Sequence, residues 1–150
     1  MSEHLVSAQE RNSQDQSSPL GIATTRFEER AWASTGLLPF ASPLFESNES
    51  LSQAGVLFAL PALMSQGLFD YRQIYSELKN GYYGFDSVML TLAFMALWRI
   101  KNSEQIKQNK VGELGRVLGL DRIPETKCLR KKIKEIEFQN KAKDFNRPPA

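Results

Sequence analysis

GELGRVLGLDRIPETKCLRKKIKEIE, residues 112–137, predicts two short helices joined by a tight turn. The first helix repeats apolar side chains at helical spacing, at Leu114, Val117 and Leu118. Gly119 supplies the positive φ at which helices commonly end, and proline at position 124 is tolerated in the first turn of a following helix. The segment therefore predicts a helical hairpin whose second helix begins at about Pro124.

The second helix of this hairpin separates apolar from basic side chains. Its apolar stripe is Leu129, Ile133 and Ile136, an i, i+4, i+7 pattern that predicts docking on a core. Basic residues project from the other side, and no acidic residue lies between Lys127 and Lys134. Such a face neutralises phosphates when the helix lies in a groove of DNA. The candidate DNA-binding residues of the hairpin are Arg116, Arg122, Lys127, Arg130, Lys131 and Lys134.

The hairpin also fits most of the helix-turn-helix pattern. Its apolar, small, apolar, glycine and apolar positions are filled by Leu114, Gly115, Leu118, Gly119 and Leu120. One extra residue in the turn is needed to bring Leu129 into its apolar position. The alternative is a plain helical hairpin with solvated lysines. The turn chemistry and the one-sided charge favour nucleic-acid binding, although a basic face alone suits RNA as well as DNA.

Charge is divided unevenly along the 150 residues, a length that favours a single domain. Up to Trp98 there are 5 basic and 10 acidic side chains, whereas from Arg99 onward there are 14 and 7. The net charges of −5 and +7 give the overall +2. An acidic N-terminal part and a basic C-terminal part indicate that only the C-terminal part meets a polyanion.

The composition excludes several kinds of site. Cys128 is the only cysteine, so no intramolecular disulfide forms, and a reducing, cytoplasmic location is expected. His4 is the only histidine, which leaves no Cys/His metal site and no histidine-based triad. The acidic residues are interpreted as helix caps or surface partners of lysines. The sequence thus predicts no catalytic residue, no metal site and no cofactor.

Two apolar stretches require comparison with membrane segments. Residues 54–64 and 87–100 are both shorter than the roughly 18 apolar residues of a spanning helix. The N-terminus has neither the basic leader nor the apolar core of a secretory signal. No membrane association is predicted.

The chain is predicted to have three parts. Residues 1–50 form a disordered or extended arm: residues 1–18 are polar and expected to be disordered, whereas 19–50 interleave aromatic residues with prolines. This second stretch is either an arm lying across the domain or a partner, or a linker that orders in a larger assembly. Residues 51–140 form a helical domain, and 141–150 form a tail.

Cap and turn signals predict the fold class as all-α, a compact bundle of five or six helices with the helix-turn-helix-like hairpin at its C-terminal end. The helices before the hairpin are predicted at residues 54–66, 71–78, 87–100 and 104–108. Their predicted caps are Ser52, Asp70, Asp86 and, for the last helix, either Asn102 or Ser103. Tyr82 and Tyr83 lie between glycines. They are interpreted as a packed turn, with stacking on a nucleic-acid base as the alternative.

These segments carry a resemblance to a known family. The run LKNGYYGFDSVMLTLAFMALWRIKNSEQIK (residues 78–107) and the following GELGRVLGLDRIPETKCLRKKI (112–133) resemble the N-terminal region of a group of prokaryotic insertion-sequence transposases. AGVLFALPALMSQGLF, residues 54–69, resembles their opening helix. The resemblance implies DNA binding in a DDE-type transposase, whose RNase H-like domain holds two divalent metals on three carboxylates. No catalytic position carries over, and a fragment truncated before the catalytic domain is expected.

The leading hypothesis is a non-catalytic, DNA-binding fragment of a transposase that recognises transposon ends in double-stranded DNA. A second hypothesis is a protein-interaction module that binds another copy of the chain or the intact transposase as an inhibitor. A third is a small helix-turn-helix transcriptional regulator, which differs from the first only in its target.

Overall fold

The computed structural model describes residues 26–45, 51–109 and 111–145, and over these residues it contains helices and no strand. The α-helices are α1 (Phe27–Ser34), α2 (Leu60–Ser65), α3 (Phe85–Leu97), α4 (Val111–Val117), α5 (Thr126–Phe138) and α6 (Ala142–Phe145). Three 3₁₀ helices cover Ala54–Ala59, Asp70–Gln73 and Ser103–Gln108. The predicted all-α class is confirmed.

Helix α3 forms the centre of the molecule. It begins after Gly84, whose backbone is extended, and its side chains at Val88 and Phe94 are fully buried. A helix that is apolar nearly all round is stable only when neighbours cover it. Helix α5 packs against α3 and against the 3₁₀ helix Ser103–Gln108. Helix α5 is therefore built directly onto the core.

The stretch between residues 51 and 79 is less helical than the sequence predicts. The helix expected over 54–66 is a 3₁₀ helix followed by the short α2, and it ends before Gly67, as predicted, at a positive φ of 86°. The helix expected over 71–78 is a single 3₁₀ turn, Asp70–Gln73. The reason is tertiary: the backbone N–H of Lys79 donates to Glu135 of α5, and that of Ser76 donates to Gln139 just after α5, instead of continuing a helix.

The predicted caps have different outcomes. Asn102 accepts a hydrogen bond from the backbone N–H of Gln105 at 3.1 Å, so of the two predicted candidates, Asn102 and Ser103, it is Asn102 that caps the helix. Ser52 instead donates to Glu113. Asp86 does not cap α3, because it accepts hydrogen bonds from the Tyr71 hydroxyl and from Arg72. Local sequence gives the cap chemistry, but a long-range partner competes for the same oxygen.

Part of the predicted arm is ordered on the core. Residues 26–45 form α1 and an extended segment. The backbone N–H of Ala41 donates to the carbonyl of Tyr82 at 3.0 Å, and Gly81 donates to Pro39 at 3.0 Å. The helix Phe27–Ser34 was not predicted. Residues 1–25 and 46–50, which complete the predicted arm, lie outside the described residues.

The predicted tail also begins on the core. Helix α6 places Phe145 edge-on to Tyr75, with ring centroids 6.1 Å apart; residues 146–150 lie outside the described part. Across the described residues, no helix is long and apolar enough to cross a membrane.

Candidate nucleic-acid interface

The turn between α4 and α5 is built on two glycines. Gly119 has the predicted positive φ, 70°, and the N–H of Leu120 turns back to the carbonyl of Gly115 at 2.9 Å. Gly115 lies directly against the backbone of Arg122, so a Cβ here would fall within 2.5 Å of that residue's N and C atoms. The turn closes only because this position has no side chain.

The turn is held to the arm by a buried polar cluster, which we call the Asp121 cluster: Arg30, Tyr82, Tyr83 and Asp121. Arg30 donates to both oxygens of the Asp121 carboxylate, with Nε to Oδ2 at 2.7 Å. The Tyr82 hydroxyl donates to Asp121 Oδ1 at 2.9 Å, and the Arg122 backbone N–H to the same oxygen at 2.8 Å. Bidentate charge-assisted bonds of this kind are short and strong.

Both tyrosines belong to the packed turn, as the sequence interpretation proposed. The hydroxyl of Tyr83 donates to the carbonyls of Arg122 and Ile123, and the two rings meet edge to face at 5.0 Å. The guanidinium of Arg30 lies 4.0 Å from the centre of the Tyr82 ring. Because both rings are buried, they cannot stack on a nucleic-acid base in this structure.

Ionisation within the cluster follows from these contacts. Burial by itself raises the pKa of Asp121, but the hydrogen bonds and charge of Arg30 outweigh burial and hold that pKa below its ordinary value. Burial and the Asp121 charge raise the pKa of Tyr82. At neutral pH the cluster therefore contains a carboxylate, a guanidinium and protonated tyrosine donors.

The inward face of α5 is partly polar. Leu129 is fully buried, as predicted, whereas Ile133 is 37% exposed and lies at the edge of the stripe. The inward position is taken by Lys132, only 6% exposed, whose Nζ donates to the carbonyl of Lys79 at 2.5 Å. Gln139 pairs with both backbone groups of Ser76. These contacts fix how α5 is rotated about its axis.

The outward side of α5 carries four cations that we call the basic face: Lys127, Arg130, Lys131 and Lys134. All four are exposed. Arg130 forms an ion pair with Glu104 at 2.9 Å between two well-exposed side chains, a pair of low net stability. The structure therefore brings four of the six predicted residues together on one solvent-facing surface.

The other two predicted residues lie elsewhere. Arg116 is exposed on α4, beside a cavity of about 620 Å³ that the arm also lines. Arg122 is only 8% exposed and donates to Glu125 at 3.1 Å. The backbone of Arg122 packs directly against Gly115, and this contact keeps the residue buried. The guanidinium of Arg122 is therefore not part of the exposed surface.

Sequence reasoning missed two features of α5. It gave Lys132 no role, although the position lies three residues after Leu129 and on the same side of the helix. It also passed over Phe138, the last residue of α5, which is 87% exposed. The signal was the i, i+3, i+7 spacing of Lys131, Lys134 and Phe138, which places this ring beside the basic face.

Cys128 lies between the inward face and the lysines. Burial raises the pKa of its thiol and outweighs the lowering effect of the Lys132 and Lys131 charges. We expect alkylation by iodoacetamide at pH 8 to be at least about tenfold slower in the folded protein than in urea, because the thiolate is the reactive form. Equal rates in the two states would contradict this burial.

Over the described residues, no group of three or more His, Cys, Asp or Glu side chains is placed to hold a metal ion. The carboxylates that the structure does bring inward are engaged with cations, Asp121 with Arg30 and Glu135 with Lys132.

The fold and the site define an all-helical protein in which a buried polar cluster supports a helix with a basic outer face. The chain matches the family described as "transposase protein" over residues 21–147, and it belongs to that family. The resemblance to transposases is thereby confirmed, and the function is related to transposition. Neither the curated proteins nor the solved structures yield a match.

Proposed function

We propose that this chain is a DNA-binding, non-catalytic part of a transposase, and that the basic face of α5 contacts the DNA backbone. The observation that carries the proposal is the basic face itself: four exposed cations on one side of a helix whose other side is buried. Cations in this arrangement gain affinity by releasing condensed counterions from DNA.

Helix α5 is suited to this role because its orientation is fixed before DNA arrives. Leu129 anchors its inner side in the core, and Lys132 and Gln139 tie it to the backbone of residues 76–79. A preordered surface loses less conformational freedom on binding than a mobile one. The cations then need only side-chain ordering to meet phosphates.

The six residues predicted for DNA binding take different roles in this proposal. Lys127, Arg130, Lys131 and Lys134 meet phosphates and base edges, and Arg116 contributes a phosphate contact from α4. Arg122 acts as a positioning residue that holds the turn through Glu125. The target is duplex DNA at a transposon end, and the chemistry of strand transfer is assigned to other parts of a transposase.

The test is a double charge reversal, Lys131→Glu with Lys134→Glu. We expect affinity for duplex DNA to fall at least about tenfold at 0.1 M salt, and the slope of log K against log salt to decrease by about 2, because two phosphate contacts are lost. Fluorescence anisotropy across a salt titration measures both quantities.

The matched control is Lys141→Glu with Lys143→Glu, two exposed lysines outside the basic face. This variant changes the net charge by the same amount as the Lys131/Lys134 variant. A small effect on DNA affinity would therefore show that the position of the lysines matters and not the net charge alone. Unchanged binding by the Lys131/Lys134 variant would refute the proposal.

A second candidate function is association with another copy of the chain or with an intact transposase. Two large apolar side chains between residues 54 and 65 are exposed, Phe58 at 91% and Met64 at 53%. Sedimentation velocity should show a dimer that Phe58→Ser with Met64→Ser converts to monomer. A wild-type monomer at all concentrations would rule out self-association.

A further inference from the structure

The end of the basic face carries an aromatic ring. Phe138 is 87% exposed, and its spacing from Lys134 and Lys131, i+4 and i+7, places it on the same side of α5. A phenylalanine this exposed, at the end of a helix whose outer side faces solvent, gains little for folding from its ring. The position therefore points to a contact made with something outside the chain.

Phe138 lies at a cleft between α5 and residues 77–79. The cleft has a volume of about 540 Å³, and its lining includes the apolar residues Leu78 and Phe138 and the basic residues Lys79, Lys131 and Lys134. This volume lies in the range of ordinary ligand sites. An aromatic wall with cations at its rim suits a flat, anionic ligand.

Two carboxylates also line the cleft, and they do not cancel its charge. Glu135 accepts from the buried Lys132 and from the backbone N–H of Lys79, so its charge is already compensated. Glu77 is the second acidic residue, and the lining contains three basic residues, Lys79, Lys131 and Lys134. The cleft is thus net positive and continuous with the basic face, a charge that fits a polyanion better than an acidic or neutral apolar peptide.

Building on the proposed function, we propose that Phe138 stacks on an unpaired base of the bound DNA while Lys131 and Lys134 hold the flanking phosphates. At 1.5 Å rise per residue, these lysines lie about 6 Å and about 10 Å before Phe138 along α5. Those spans correspond to about two and three nucleotides at 3.4 Å each. The substrate is DNA with a bulged, flipped or single-stranded nucleotide beside a duplex.

Stacking on a base explains why residue 138 is aromatic. Every base offers a π face, so an aromatic side chain at the end of a basic groove binds an unstacked base without reading its sequence. An apolar wedge at a base step acts in a related way on a distorted duplex. The basic face supplies affinity for any DNA, and Phe138 adds a preference for DNA that is locally open.

The test compares an intact duplex with the same duplex carrying one bulged 2-aminopurine. We expect Phe138→Ala to weaken binding to the bulged DNA about tenfold and binding to the intact duplex less than twofold, and to abolish the quenching of 2-aminopurine that stacking causes. Phe138→Tyr should retain both properties, and Phe138→Leu should lose the quenching. Phe45→Ala, at an exposed phenylalanine of the arm and outside the basic face, is the control.

The outcomes separate this inference from the function on which it rests. If Lys131→Glu with Lys134→Glu weakens both DNAs but Phe138→Ala affects neither, only the stacking role is overturned. If the lysine variant leaves both affinities unchanged, the proposed function itself fails. If Phe138→Ala instead converts a dimer to monomer in sedimentation at the assay concentration, the cleft is a contact between copies of the chain and the stacking role is wrong.

Discussion

Gly115→Ala lowers the free energy of unfolding by about 3 kcal/mol, even though alanine is the better helix former. Gly115 lies inside α4, where a gain of up to about 1 kcal/mol is the usual result of this substitution. The new Cβ would lie within 2.5 Å of the Arg122 backbone, and a backbone cannot rotate aside as a flexible side chain can. The turn must open, and the Asp121 cluster next to it loses its geometry.

Urea denaturation followed by circular dichroism measures this effect, and α4 provides the control. Gly112 lies in the same helix, and a Cβ there meets no atom within 4 Å. Gly112→Ala should therefore raise stability by about 0.5 to 1 kcal/mol. The two substitutions are chemically identical and have opposite expected signs. Stabilisation by both would show that the turn does not pack as described.

Asp121→Asn destabilises the protein by about 3 to 5 kcal/mol, because it leaves the partly buried charge of Arg30 without its carboxylate. The amide keeps the size of the side chain but loses the charge and one of the two acceptor oxygens. The double variant Arg30→Met with Asp121→Asn should cost less than the sum of the single changes, since no unpaired charge remains.

The same variant removes a pH dependence. The folded pKa of Asp121 lies below its ordinary value of about 3.9, so the ionised form stabilises the fold. This stabilisation is complete above the ordinary pKa and is lost as the pH falls below it toward the folded pKa. Urea unfolding between pH 3 and pH 7 should show a steeper loss in the wild type than in Asp121→Asn.

Asp144→Asn, at an exposed aspartate on α6, serves as the reference for this pH series. It should retain the wild-type profile. An acid profile of Asp121→Asn that matches the wild type would mean that the cluster does not hold the carboxylate in its charged form.

Much of the hairpin could be predicted from sequence because its signals are local. Gly119 ends α4, Asn102 caps the helix it precedes, and Leu129 faces the core, as expected. Each of these assignments depends on residues within about one helical turn. Helix periodicity and cap chemistry operate over that distance.

Sequence was less informative about which basic residues reach solvent. Lys132 and Lys131 are neighbours with the same charge, yet one is buried and the other exposed. The difference depends on the carbonyl of Lys79, 53 residues away in the chain, which accepts from Lys132. Arg122 is buried for the same kind of reason, since its backbone closes on Gly115. No local pattern encodes these contacts.

By itself, the sequence determined the helical class, two successive helices with a glycine turn after the first, and the concentration of positive charge toward the C-terminal half. Only the tertiary structure decided that residues 26–45 lie on the core, that Asp121 binds Arg30, 91 residues away, and that four cations with Phe138 form one surface. The physical reason is the distance along the chain over which each kind of interaction acts. Helix periodicity and turn chemistry act over a few residues, whereas burial and ion pairing depend on which distant segments the fold brings into contact.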